Sequence, residues 1–287
     1  MGRATTTATP IGGVPTTSAA GVRGRRQSQL WRIRGELDRR WRIGLALAGV
    51  VVVLAAWALA AAGAGDTGSL IPTPGATMKA LGKLWTDGVL STDLWASSRR
   101  ILIGYGISVA IGVVGGLAIG SFASVEAFFE AQIGFLRYIP ASALTPVFLL
   151  WLGIGESPKV WLIVVGTVFF NILMIADVAR AVPRELLNAS YTLGASRTTV
   201  VRRVILRHSL PGIIDAARVN LAAAWLMLVV AELLAAEEGL AYQIVRAQRF
   251  RAVDTMFALL IVFGLIGLAS DLFLRWLRNA TSPWARA

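Results

Sequence analysis

The chain has no cysteine, three lysines and a single histidine, and each shortage removes a chemistry. Without cysteine there is no disulfide framework, no thiol nucleophile and no thiolate metal site. One histidine, His208, cannot supply a His-Glu-x-x-His zinc motif, and no Gly-x-Ser-x-Gly nucleophile turn is present. None of Lys79, Lys83 and Lys159 closes a Gly-x-x-x-x-Gly-Lys run, so the chain has no phosphate cradle for ATP. Asp177, Asp215 and Asp271 fall near the ends of apolar blocks, whereas an acid-based intramembrane protease would bring two aspartates together at mid-depth. An enzyme is therefore not expected, nor is a metal or a cofactor held by this chain. Charge is scarce too, at 15% of 287 residues against 56% hydrophobic, which is too little for the surface of a soluble domain.

What the chain has instead is long uncharged blocks. Residues 43–63 give 21 such positions and 101–125 give 25, followed by 138–155, 160–176 and 255–270. A sixth block, 219–236, carries one acid, Glu232. A helix needs about 20 apolar residues to cross a bilayer, with about 17 as the lower limit. The shortest block reaches that length if residues 272–274 continue it past Asp271. The expected fold is all-α, a polytopic membrane protein with six transmembrane helices.

The net charge of +12 would suit nucleic acid if it were clustered, but its distribution follows the spans. Six spans put both termini on one side, and that side collects eighteen Lys and Arg against eight opposite. Positive loops stay in the cytoplasm, so both termini are expected inside a cell (inner or plasma) membrane, in contact with lipid and with no nucleic-acid partner. Residues 1–29 are rich in Thr, Ala, Gly and Pro with no apolar period, and 1–42 read as a disordered basic cytoplasmic tail. The first span then covers 43–63. An external segment follows at 64–98, with Met78, Leu81, Leu84 and Trp85 at interfacial-helix spacing after a Pro-x-Pro-Gly start. A five-span core fills 99–278, with a cytoplasmic segment at 180–211, and 279–287 is a C-terminal tail.

Several residues break the apolar pattern within the core. Gly112, Gly116 and Gly120 lie four apart and permit close helix approach. Pro140 and Pro146 are expected to kink the third span, near Ser142 and Thr145. Thr167 and Asn171, four apart, share a face of the fourth. These polar stripes turn either towards a wet pathway or towards one another. Glu232 sits well inside the fifth span, where a lone charge costs about 3 kcal/mol, so it faces protein or water and an arginine partner would offset it. Ser142, Thr145, Thr167, Asn171 and Glu232 are the pathway candidates. An ion-coupled secondary transporter using Glu232 is the alternative, although no internal repeat supports it.

The 180–211 segment is too long and too patterned for a connector. Pro183 suits a first helical turn, and Leu186, Ala189 and Leu193 with Leu187, Tyr191 and Ala195 follow three- and four-residue steps. Gly194 interrupts, a second amphipathic piece follows, and Leu210-Pro211 is expected to end it. "NASYTLGAS" followed by "VILRHSLPGI" resembles the EAA loop of ABC-importer permeases, with Asn188, Ala189 and Ser190 in the Glu-Ala-Ala places, then Gly194 and Leu210-Pro211. Asparagine replaces the usual glutamate. Residues 137–157 and 224–233, and Asp271 with Pro283-Trp284, are similar to the nitrate/sulfonate/taurine permease subfamily, so the resemblance covers about residues 70–284.

The resemblance implies a type I importer permease that pairs with a second copy of itself. It implies a cytoplasmic ABC ATPase dimer, which would carry the ATP, and an extracytoplasmic solute-binding protein. Docking to the ATPase would use Asn188, Ala189, Ser190, Gly194, Ala195 and Arg197 in a coupling helix at about 184–197. The solute would be a small one, an anion such as nitrate, a sulfonate, taurine or bicarbonate.

Overall fold

A computed structural model describes residues 37–63 and 70–286. The tail expected over 1–42 lies almost entirely outside the described residues, as do 64–69. The described residues are helical, with no strand among them. The chain forms two units, residues 1–55 and 56–287. The described part of the first is the beginning of α1 (Arg39–Gly63), whose 25 residues carry no charge after Arg42 and meet the length a bilayer requires.

The second unit is built on three long helices, α3 (Val89–Ser121), α6 (Glu156–Arg180) and α9 (Leu206–Ala235), with α6 packed against both others. At one end, α2 (Pro74–Thr86) and α10 (Leu240–Arg249) pack on α11 (Val253–Thr281), around Leu90, Leu240 and Leu259. Thr73 caps α2, its hydroxyl accepting from the Ala76 amide, and Pro74 fills the first turn. The opposite end carries α7 (Arg184–Thr192), under a cluster of Leu117, Ile175, Ala179, Val182, Val200 and Ile205.

Five of the described helices are long and apolar enough to span, and a sixth span exists if a bent pair is counted as one. That pair is α4 (Ala123–Leu136) with the stretch Ala141–Leu152, which ends in α5 (Thr145–Leu152), bent by 80°. The third apolar region therefore begins well before residue 138. Glu126, which marked that stretch as polar in the sequence, pairs with Arg180 at 2.8 Å. The bend falls at Pro140, whereas Pro146 sits in the first turn of α5, where its missing donor does no harm. The second span likewise starts at Val89, because Asp93 and Arg100 lie inside the protein with partners and do not end the helix.

Leu210-Pro211 does not terminate a helix either. A short turn, α8 (Arg197–Thr199), runs through a π-helical stretch, Val200–Ile205, straight into α9, which carries Pro211 inside it. Pro211 removes one backbone donor, and the helix continues through it.

The glycine ridge explains how closely α3 and α6 approach. A Cβ on Gly112 would fall 2.7 Å from the Asn171 Cβ, one on Gly116 2.7 Å from the Ile172 carbonyl oxygen, and one on Gly120 2.6 Å from that of Ala176. Backbone cannot yield as a flexible side chain can, so overpacking here costs about 1–3 kcal/mol or more. Gly116→Val is expected to lower the midpoint of thermal aggregation in detergent. Gly106→Val, with nothing within 4 Å of its Cβ, is expected to leave that midpoint unchanged.

Candidate functional site

Three constellations stand out, one at each end of the second unit and one between them. At the α10 end lies a buried ionic socket. Arg100 is 1% exposed and Glu232 1% exposed, and their Nη1 and Oε1 atoms are 2.9 Å apart. Arg100 also holds Glu156 through Nε and Nη2, at 2.7 and 2.8 Å, and donates to the Glu238 carbonyl at 2.8 Å. Lys159 adds a second cation to Glu156 at 2.7 Å. Burying charges is costly unless each is paired and its remaining positions are hydrogen-bonded, a condition that Arg100 meets through Glu156, Glu232 and the Glu238 carbonyl.

The socket grips the start of α10. Helix N-termini leave amides without internal partners. The Gly239 amide donates to Asp93 Oδ1 at 2.7 Å, that of Leu240 to Ser97 Oγ at 2.9 Å, and that of Ala241 to Glu232 Oε2 at 2.9 Å. Ser97 in turn donates to Glu232 Oε1. Gly239 has φ of +130°, and a Cβ there would lie 2.5 Å from the Glu232 carboxylate, so glycine alone fits. Glu232 stands three residues before the end of α9 and not well inside a span, which corrects the sequence expectation.

Between the ends, a polar knot joins α3, α6 and α9. Thr167 Oγ1 lies 2.7 Å from Ser108 Oγ and 2.8 Å from the Ile163 carbonyl oxygen. Asn171 donates to Ser108 Oγ at 2.9 Å and accepts from Asn220 at 2.9 Å, while Asn220 also donates to the Thr167 carbonyl. Tyr105 donates to the Ala217 carbonyl beside them. Ser108, Thr167 and Asn171 are fully buried. Both ends of the Asn171 amide are thus satisfied within the chain. A solute passing on its own side of the bundle would reach neither Thr167 nor Asn171 without displacing these bonds.

Ser142 and Thr145 sit at the α4–α5 bend, Ser142 exposed and Thr145 buried, its hydroxyl donating to the Ser142 carbonyl at 2.8 Å. Near the α7 end, Arg218 pairs with Asp271 and Arg278 with Asp215, tying α9 to α11.

Next comes the helix-turn at the α7 end itself. α7 closes with amides of Leu193 and Ala195 donating to carbonyls of Ala189 and Ser190, and Gly194 takes φ of +80°. This is the left-handed turn that commonly ends a helix. Ser196 then caps the next turn, its hydroxyl accepting from the Thr199 amide. Asn188, Ala189 and Arg197 are exposed, Ser190 is half-buried with its hydroxyl on the Leu186 carbonyl, and Ala195 packs back onto the core. Leu193 is 87% exposed, Tyr191 50% and Leu186 43%. Apolar side chains presented this openly beside a tight turn form a surface that the other described residues do not cover.

The sequence pointed to Thr167, Asn171 and Glu232 but not to their partners Ser108, Asn220, Arg100, Ser97 and Asp93. A signal existed: Asp93, Ser97, Arg100, Gly104, Ser108, Gly112, Gly116 and Gly120 recur every three or four residues along one face of α3.

Residues 108–283 match the family described as binding-protein-dependent transport system inner membrane component. The taurine transport system permease protein TauC of Escherichia coli (strain K12) is 31% identical, over 86% of this chain and 94% of TauC. SsuC of the same strain, named for transport of aliphatic sulfonates, is 32% identical over 82% of this chain and 89% of SsuC. A chain of the MetNI methionine ABC transporter, solved in inward-facing conformations, has a similar fold, with a TM-score of 0.62 at 19% identity, over 68% of this chain and 97% of that one. This kinship does not favour the ion-coupled alternative, and both Glu232 oxygens already accept hydrogen bonds within the chain. The chain belongs to the binding-protein-dependent transport family and is the membrane-spanning permease component of an ABC importer.

Proposed function

We propose that two copies of this chain pair around a pathway, that α7 and its turn dock an ATPase subunit, and that a binding protein delivers a small sulfonate or related anion at the α10 end. The docking reading rests on the exposed Leu193, Tyr191 and Leu186 around the Gly194 turn. The sulfonate reading rests on TauC and SsuC. The arginine-rich 180–211 segment supports an orientation with α7 in the cytoplasm. ATP is hydrolysed on the separate ATPase chain, whose closure draws the two α7 helices together and opens the pathway outward, a two-state bundle biased from a distance. Ser142 at the bend lines the pathway with Thr145 beside it, while Thr167, Asn171 and Glu232 hold the helices behind it.

The test is a mild-detergent pull-down of the tagged chain from its native membrane, with partners identified by mass. The parent chain is expected to bring down an ATPase and Leu193→Asp to lose it. The variant should still insert, because an 87%-exposed side chain contributes little to its own fold. A pull-down without any nucleotide-binding chain, repeated after cross-linking, would overturn the reading. A co-purifying binding protein can then be screened against taurine, aliphatic sulfonates and nitrate.

A further inference from the structure

We infer that Arg246 and Arg249 on α10 form an anion-receiving station at the mouth of the pathway, one that takes the sulfonate group as it leaves the binding protein. The inference rests on the sulfonate reading above and assigns residues to it. α10 has two faces. Leu240, Ala241 and Ala247 are buried, and Ile244 packs with Leu90 and Leu259. Tyr242, Val245, Arg246 and Arg249 recur three and four residues apart on another face, with Phe250 following.

That second face lines a cleft of about 510 Å³, with Glu232, Leu233 and Ala236 completing its walls. The volume falls in the range of small-molecule sites, about 300–1,000 Å³.

The charge balance of the cleft is positive. The Glu232 carboxylate at its edge is already used on both oxygens, by Arg100 and Ser97 on one and by the Ala241 amide on the other. The side chains of Arg246 and Arg249 form no ion pair or hydrogen bond among the described residues, although the Arg246 carbonyl accepts from the Phe250 amide. Asp93, behind the helix, feels the Arg246 charge but is turned to the Gly239 amide. Glu237 and Glu238 are exposed in the turn between the cleft residue Ala236 and the start of α10, and Glu238 leans on Arg100. Two like charges one helical turn apart repel each other, a penalty that a bound anion relieves. Guanidinium forks suit the flat oxygen face of a sulfonate, with Tyr242 able to add a hydroxyl and Phe250 an apolar wall for the carbon end.

The socket gives the station its precision. Three amides at the start of α10 are fixed to α3 and α9, so the arginine face is held at a set position relative to the rest of the bundle. An anion arriving from a docked binding protein would meet two cations already in place.

The test uses the complete transporter, permease with ATPase and binding protein, in liposomes with radiolabelled taurine and, separately, methanesulfonate. Loaded binding protein is varied to saturation. The double variant Arg246→Gln/Arg249→Gln is expected to lower the maximal uptake rate by about tenfold or more, from the loss of charge-assisted contacts, with the half-saturating binding-protein concentration unchanged. Arg246→Lys/Arg249→Lys, which keeps the charge and loses the fork, should fall between the parent and the glutamine variant. Equal rates in parent and double variant would overturn the inference and leave the sulfonate reading intact. A raised half-saturating concentration at an unchanged maximal rate would overturn it too, by assigning the arginines to docking of the binding protein. A parent transporter that imports neither probe would overturn the sulfonate reading and this inference with it.

Discussion

Arg100→Ala is expected to be the most destabilising single change in the second unit, by about 3–5 kcal/mol, the usual consequence of removing one partner of a buried pair. It strips Glu232 of its cation and leaves that carboxylate, at 1% exposure, with Ser97 and the Ala241 amide alone. It also frees the Glu238 carbonyl and removes two contacts from Glu156. Glu232→Gln should cost less, because an amide oxygen can still accept from Ala241 while Arg100 keeps Glu156. Arg100→Ala/Glu232→Ala should be less destabilised than the two single alanine variants added together, since no lone carboxylate remains; coupling of about 0.5–3 kcal/mol is the expected range for residues in one network. Unfolding in mixed micelles by detergent titration checks the ranking. An Arg100→Ala protein as stable as the parent would show that the socket carries none of the stability assigned to it.

Gly194→Arg is expected to abolish ATP-driven uptake, and Gly194→Ala to reduce it modestly. The structure separates two effects that usually arrive together. Any side chain at φ of +80° is strained, by about 1–2 kcal/mol for the left-handed region, and that applies to alanine and arginine alike. A Cβ at this position meets nothing within 4 Å among the described residues, so the Cβ that both variants share has room. What arginine does beyond alanine is therefore expected against a partner, since the exposed turn lets its side chain point outward. Uptake by reconstituted transporter, with ATPase recovery in a pull-down, measures both. Equal loss in the two variants would trace the effect to backbone strain and remove the steric argument for docking at the turn.

The sequence was most informative where a residue's meaning is local. Uncharged length identified spans, and the glycine spacing identified the ridge on α3, because both depend only on neighbours along one helix. It was least informative where meaning comes from across the bundle. Asp93 and Arg100 read as the end of a loop, since nothing in their own helix shows that Gly239 and Glu232 wait to receive them. Glu126 made a helix look like a polar stretch for the same reason, its partner Arg180 being 54 positions away. Pro211 looked like a terminator because nothing local shows that the helix continues through it. Thr167 and Asn171 were visible as polar, but whether they faced water or each other required Ser108 and Asn220.

One continuous helix runs from the Gly194 turn to the α10 socket. Arg197–Leu233 is a helical rod of 37 residues, about 55 Å at 1.5 Å per residue, rooted beside the Gly194 turn and ending at the α10 socket. Its two compliant points, the π stretch Val200–Ile205 and Pro211, both lie in its first fifteen residues. The remainder is regular helix locked at its far end by Glu232. A rod with its give at one end and a clamp at the other behaves as a lever: a push at α7 is absorbed as flexing close to where it is applied, and whatever is left arrives at α10 as rigid tilt.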